Sequence, residues 1–276
     1  PDAFATALAG ELARRHEKFL TGLETYRSHP FRRDLTAPPA IWEAGPTKLL
    51  DYGATSTAGA AGHPVLVIPS LVNRSYILDL AEQHSFLRFL ASRGLRPLLI
   101  DWGTPGTAEL ERSLGDYISG DISSALSVAV EIAGGRPVPV IGYCMGGTLA
   151  AGLAVLSPDQ ISALVLLAAP WDFHVGTNGP PAAITAGGPA LEAMITTTGC
   201  LSVEALQSMF FSLDPLQGWT KFRAFADIPA DDPAAESFVA LEDWLNDGVP
   251  LAADVARECL FGWYGDNTPA TGNWSV

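Results

Sequence analysis

Basic residues are scarce: 16 Lys and Arg stand against 30 Asp and Glu, for a formal net charge of −14. That balance sets nucleic acid aside as a partner, because displacing the counterions around phosphates takes clustered Lys and Arg. Cysteine is scarcer still. The three present, Cys144, Cys200 and Cys259, are odd in number and widely spaced, which argues against a disulfide framework and against CxxC metal sites. A reducing, cytoplasmic setting without a metal is the expectation. Long apolar runs are also missing: no stretch reaches the ~18 apolar residues of a membrane span. Pro1 to Gly10 has no basic start leading into an apolar run, so neither a secretory leader nor a transmembrane segment is expected. What remains, 48% hydrophobic and 17% charged positions over 276 residues, suits one large core.

The pattern along the chain changes twice. Leu12 to Tyr26 carries apolar residues at helical spacing, and Pro38, Pro39 and Pro46 then break the chain into an irregular connection. From Lys48, short apolar runs alternate with helical stretches: Val65 to Ile68, Pro97 to Ile100, Val138 to Ile141 and Ala163 to Ala168 read as strands, with helices over Ser85–Ser92, about Leu110–Ile132 and after Cys144. Continuous β-branched and Leu-rich runs alternating with helices predict an α/β fold with a mostly parallel sheet covered on both faces. After Pro170 the alternation stops, and Pro180 to Tyr264 reads as a helical lid without a strand. Three units are expected: 1–47, an N-terminal helix and connection; 48–179, the α/β core; and 180–276, the lid.

Between Val138 and Leu149 a strand runs into Gly142, Tyr143, Cys144, Met145, Gly146 and Gly147, and then into a helix-forming segment. This is the G-x-nucleophile-x-G elbow of the α/β-hydrolase fold, with Cys in the nucleophile's place. The following helix N-terminus favours a thiolate there. The loop after the first run, Pro69 to Asn73, stands where that fold takes its second oxyanion donor, so the backbone N–H groups of Met145 and Val72 are the expected pair.

Several spaced stretches together resemble the polyhydroxyalkanoate synthases of the α/β-hydrolase superfamily, most closely the shorter type that works with an accessory subunit. They are VIPSLVNRSYILDL (Val67 to Leu80), LLIDWGTP (Leu98 to Pro105), IGYCMGGTLA (Ile141 to Ala150) and, more weakly, AAPWDFH (Ala168 to His174). The resemblance implies an acyltransferase in which Cys144 takes a 3-hydroxyacyl group from coenzyme A and passes it to a growing polyester. The substrate carries the coenzyme, so no bound cofactor is implied. The implied partners are hydroxyacyl-CoA, the polyester, and an accessory synthase subunit or a second copy; the implied location is the cytoplasm or the polyester granule surface. Asp79 and Asp172 match acidic positions of the family and fit structural roles as caps equally well.

The family's general base is a His, oriented by an Asp, that follows later strands; this sequence stops at Val276 before such strands, so base and strands are expected C-terminal to it. Of the five histidines, His174 lies beside Asp172 past the fourth run and is the one internal candidate for base. Two other readings stay open: a thioesterase or polyester depolymerase using the same Cys with water as acceptor, and a non-catalytic member of the family. Within the lid, Met194, Met209, Phe210, Phe211, Trp219 and Phe222 are expected partly as core and partly as an apolar cover over Cys144.

Overall fold

The structure is a computed structural model that describes residues 2–176 and 181–276. A long helix, α1 (Asp2–Ser28), precedes the hairpin of β1 (Ala40–Ala44) and β2 (Thr47–Asp51). The core follows as β3 (His63–Ile68), α2 (Phe86–Ser92), β4 (Leu95–Asp101), α3 (Ser123–Ile132), β5 (Val138–Tyr143), α4 (Met145–Leu156) and β6 (Ile161–Leu167). The six strands form one sheet in the order β1-β2-β4-β3-β5-β6. β3, β4, β5 and β6 are parallel, while β2 runs antiparallel to both β1 and β4.

Alternation along the central strands sends side chains into two cores. Leu66, Ile68, Leu98 and Ile100 meet Leu126 of α3 with Leu149 and Leu153 of α4. Val65, Val67 and Leu99 face the other way, onto Leu87 of α2 and Tyr52. β3 is the point where the chain reverses direction: its next strand, β4, is added on one side and β5 on the other. The loops after β3 and β5 therefore diverge around a crevice at the carboxyl ends of the strands, the place where open α/β sheets hold ligands.

The fourth run is a strand, as expected, but it is not covered on both faces. Leu164, Val165, Leu166 and Leu167 are all exposed, Leu166 by 51%, because β6 is the sheet edge and, among the described residues, β5 is its only strand neighbour. The expected helix over Leu110–Ile132 is broken: a capping box at Ser113 and Asp116 starts a new turn, and a π-helical stretch over Tyr117–Ile122 precedes α3. The proline-rich connection contains a strand, β1, flanked by the prolines.

Residues 181–276 are helical as expected: α5 (Ala182–Thr198), α6 (Val203–Leu213), α7 (Gln217–Phe225), α8 (Pro233–Asn246), α9 (Ala253–Arg257), a π-helical segment Glu258–Gly265 and α10 (Thr268–Thr271). The expected boundary at 179/180 lies outside the described residues. The region does contain strand structure, a two-residue antiparallel pair of Cys200–Leu201 with Leu251–Ala252. Its aromatic residues also take partners that local pattern did not reveal. Trp219 stacks on Phe19 of α1 with ring centroids 4.7 Å apart, and Phe222 packs against Phe19, Tyr26 and Phe238. Met194 and Met209 join the main core, whereas Phe210 and Phe211 are exposed.

Candidate active site

Cys144 sits between the last residue of β5 and the first of α4 with φ +52° and ψ −130°. A non-glycine residue there carries about 1–3 kcal/mol of backbone strain that the surroundings must hold in place. They do so from both sides. The Cys144 N–H donates to the Leu167 carbonyl at 2.9 Å, and the Cys144 carbonyl accepts from Gly147 N–H at 2.8 Å. The two glycines of the motif are required by close approach: a Cβ on Gly142 would lie 2.4 Å from the Gly147 Cα, and one on Gly146 would lie 2.2 Å from the Ile68 carbonyl oxygen and 2.5 Å from that of Pro69. Gly146 thus lets the start of α4 rest directly on the loop that leaves β3. Met145, the first residue of α4, has an N–H that no carbonyl within the helix can take.

The loop after β3 is held on three sides. Trp102, just past β4, donates its indole N–H to the Pro69 carbonyl at 3.2 Å; Val249 N–H donates to the Val72 carbonyl at 3.5 Å; and Asn73 bridges to Gly248. Val72 N–H, expected as the second oxyanion donor, is taken up by the Ser70 hydroxyl at 3.1 Å. That N–H therefore already has an acceptor in this arrangement.

The remaining candidates separate clearly. Asp79 is fully buried and accepts from Arg88 at 2.8 and 3.1 Å, from Arg33 at 3.2 Å and from the Tyr52 hydroxyl at 3.1 Å, which ties the 31–36 segment, β2 and α2 together. His174 Nε2 bonds the Tyr264 carbonyl at 3.0 Å; a carbonyl only accepts, so Nε2 carries the proton and does not serve as a base in this arrangement. His29 bonds the Ala230 carbonyl, His16 stacks on Trp219, His84 lies beside Ser237 and His63 opens β3 at the end away from Cys144. Burial, and then the charge of Cys144, push the Tyr264 phenol up. Cys259 is buried, which pushes its thiol up, and Cys200 is half-buried in the small strand pair. No group of three or more His, Cys, Asp or Glu among the described residues is placed to hold a metal, and no described helix is long and apolar enough to cross a membrane.

Comparison with known proteins places this geometry. Residues 34–90 match the family model described as the poly-beta-hydroxybutyrate polymerase (PhaC) N-terminus, and residues 63–185 match the alpha/beta hydrolase fold. The poly(3-hydroxyalkanoate) polymerase subunit PhaC of Synechocystis sp. is 30% identical over 259 residues, 91% of this chain and 68% of the relative. The chain belongs to the PhaC family. The PhaC subunit of Haloarcula marismortui is 28% identical over 244 residues, 84% of this chain and 50% of that protein, so the chain spans between about half and two thirds of these curated relatives. Among solved structures, a carboxylesterase of Nitrososphaera gargenis aligns with 86% of this chain and 88% of its own at 15% identity and a TM-score of 0.41, too low to carry an argument.

One residue that holds a candidate acid in place gives no signal in the sequence. Asn267, buried and left-handed at φ +54°, donates from its amide to Asp172 at 2.8 Å and accepts from Phe173 N–H at 3.0 Å. Asp172 in turn accepts from His174 N–H at 3.0 Å, and the Asn267 bond, followed by this one, lowers its carboxyl pKa. Asp172 is thereby a clamp that joins the loop after β6 to the C-terminal helical region. Replacing Asn267 with Gly keeps the left-handed backbone but deletes both bonds, and is expected to cost about 1–3 kcal/mol. Urea unfolding measures it; a cost within error of zero would mean the clamp is decorative.

Proposed function

We propose that this chain carries the acyl-transfer centre of a polyester synthase, with Cys144 as nucleophile. The observation behind the reading is the strained Cys144 elbow resting on the loop after β3 in a member of the PhaC family. In the proposed reaction the Cys144 thiolate attacks the thioester carbonyl of a 3-hydroxyacyl-CoA, and the carbonyl oxygen gathers negative charge. The Met145 N–H, and Val72 N–H once released from Ser70, stabilise that charge. Coenzyme A leaves as its thiolate, and the acyl group remains as a thioester on Cys144. The hydroxyl of another unit then attacks this thioester, its proton passing to a base, and the Cys144 thiolate is regenerated as the new ester forms.

His174 Nε2 is committed to the Tyr264 carbonyl, and the base is proposed to come from outside these 276 residues. An accessory subunit, as the name of the relatives suggests, is part of the same proposal. The test is incubation of the full-length protein, with and without its accessory subunit, with 3-hydroxybutyryl-CoA. CoA release accompanied by polymer is expected. CoA release with free 3-hydroxybutyrate as the sole product would replace the synthase reading with a thioesterase.

A further inference from the structure

The structure also offers a second binding surface that opens between α6, α7 and α8. We propose that this groove is the track for the neutral polyester chain, distinct from wherever the coenzyme lies; the inference rests on the acyl-transfer reading above. The groove has a volume of about 510 Å³, and its lining includes Val72, Asn73, Gly248 and Val249. Those residues belong to the loop on which Gly146 packs and to the segment that pins it. The expected oxyanion donor Val72 therefore lines the same groove as Phe210 and Phe211 of α6, which are 53% and 58% exposed.

Its chemistry selects against a polyphosphate and for an uncharged ester chain. Lys221 is the only cation among the described lining residues, and it is bonded to the buried Glu242 at 2.7 Å; Glu204 adds a second carboxylate. A lining with one cation against two anions repels the phosphates of coenzyme A. The rest of the lining combines apolar surface, such as Leu206 and Phe211, with the carboxamides of Gln207, Gln217 and Asn246; Gln207 and Asn246 each give one amide N–H to a backbone carbonyl and keep a second. A poly(3-hydroxyacid) carries the matching pair of groups, one ester carbonyl to accept a hydrogen bond and one short apolar group per unit.

The test is photo-labelling of the full-length protein with a linear tetramer of 3-hydroxybutyrate, capped as a methyl ester and carrying a diazirine, followed by peptide mapping. Label is expected within residues 203–211 and 245–249, undiminished by excess free CoA and retained in Cys144→Ala. Phe210→Asp with Phe211→Asp should cut it about tenfold; both rings are exposed, so the fold is retained, and Gln217→Leu provides a second, milder change in the same direction. Label spread without preference, unchanged by the double variant, or displaced by CoA overturns the proposal. CoA release that persists in Cys144→Ala removes the acyl-transfer reading and the polyester assignment with it, a result distinct from failed labelling.

Discussion

Cys144→Ala is expected to abolish acylation of the protein by 3-hydroxybutyryl-CoA, a loss of at least about 10³-fold, while Cys200→Ala and Cys259→Ala keep most of it. The three thiols of the chain differ in exposure and setting. Cys259 is buried, and burial pushes its thiol pKa up, so its thiolate, the only reactive form, is suppressed and inaccessible. Cys200 is half-buried in a two-residue strand whose backbone is committed to Ala252. Cys144 alone combines partial exposure with a place at the N-terminus of a 12-residue helix, whose first N–H, that of Met145, is positioned to stabilise the oxyanion formed on attack. Intact-mass measurement after a short incubation reads the adduct directly. Cys144→Ser should acylate far more slowly than the wild type, since a hydroxyl needs more help from a base than a thiol does. An adduct of wild-type yield in Cys144→Ala would end the nucleophile assignment.

The elbow was legible in the sequence because its physical demands are local. Gly142 and Gly146 lie two residues either side of Cys144, and the contacts a Cβ would make at each are set by strand and helix geometry within a few residues. The four apolar runs were legible for the same reason, since strand periodicity needs no distant partner. What was not legible depends on partners far along the chain. Trp219 and Phe222 belong to a set of lid residues whose division between core and cover the local pattern leaves open, and α1, some 200 residues earlier, supplies the apolar face they stack on. β1 was hidden because its flanking prolines signal an irregular connection, yet they fall outside the paired residues Ala40 to Ala44. Asn267 gave no pattern at all: its importance comes from an αL backbone and two bonds to residues about 95 positions away. The exposure of β6 is the mirror image, a run with core composition whose burial depends on what lies beside it.

Asp79→Ala is expected to lower the stability of the fold by about 3 kcal/mol or more, and this separates a structural acid from a catalytic one. The carboxylate is fully buried and its two oxygens share four donor contacts from Arg88, Arg33 and Tyr52. Taking an isolated carboxylate out of water costs several kcal/mol, and only the two guanidinium groups with the phenol offset it. Removing the carboxylate leaves the Tyr52 hydroxyl without its acceptor and reduces Arg33 to the Asp79 backbone carbonyl and Arg88 to the Thr36 carbonyl, at the junction of the 31–36 segment, the turn after β2 and α2. Both arginine side chains are about a quarter exposed, so water recovers part of their solvation and the loss falls toward the lower end of the range for broken buried pairs. Asp79→Asn retains the shape and one acceptor oxygen and should fall between wild type and alanine. Burial, with the neighbouring Asp79 charge, pushes the Tyr52 phenol up; losing that charge should therefore bring it down, which a spectroscopic titration of the Asn variant reads independently of stability. Urea unfolding gives the main result, and acylation of the fraction still folded gives the control. If the Asn variant unfolds at the wild-type midpoint while its acylation collapses, Asp79 acts on the chemistry, and the structural account given for it is wrong.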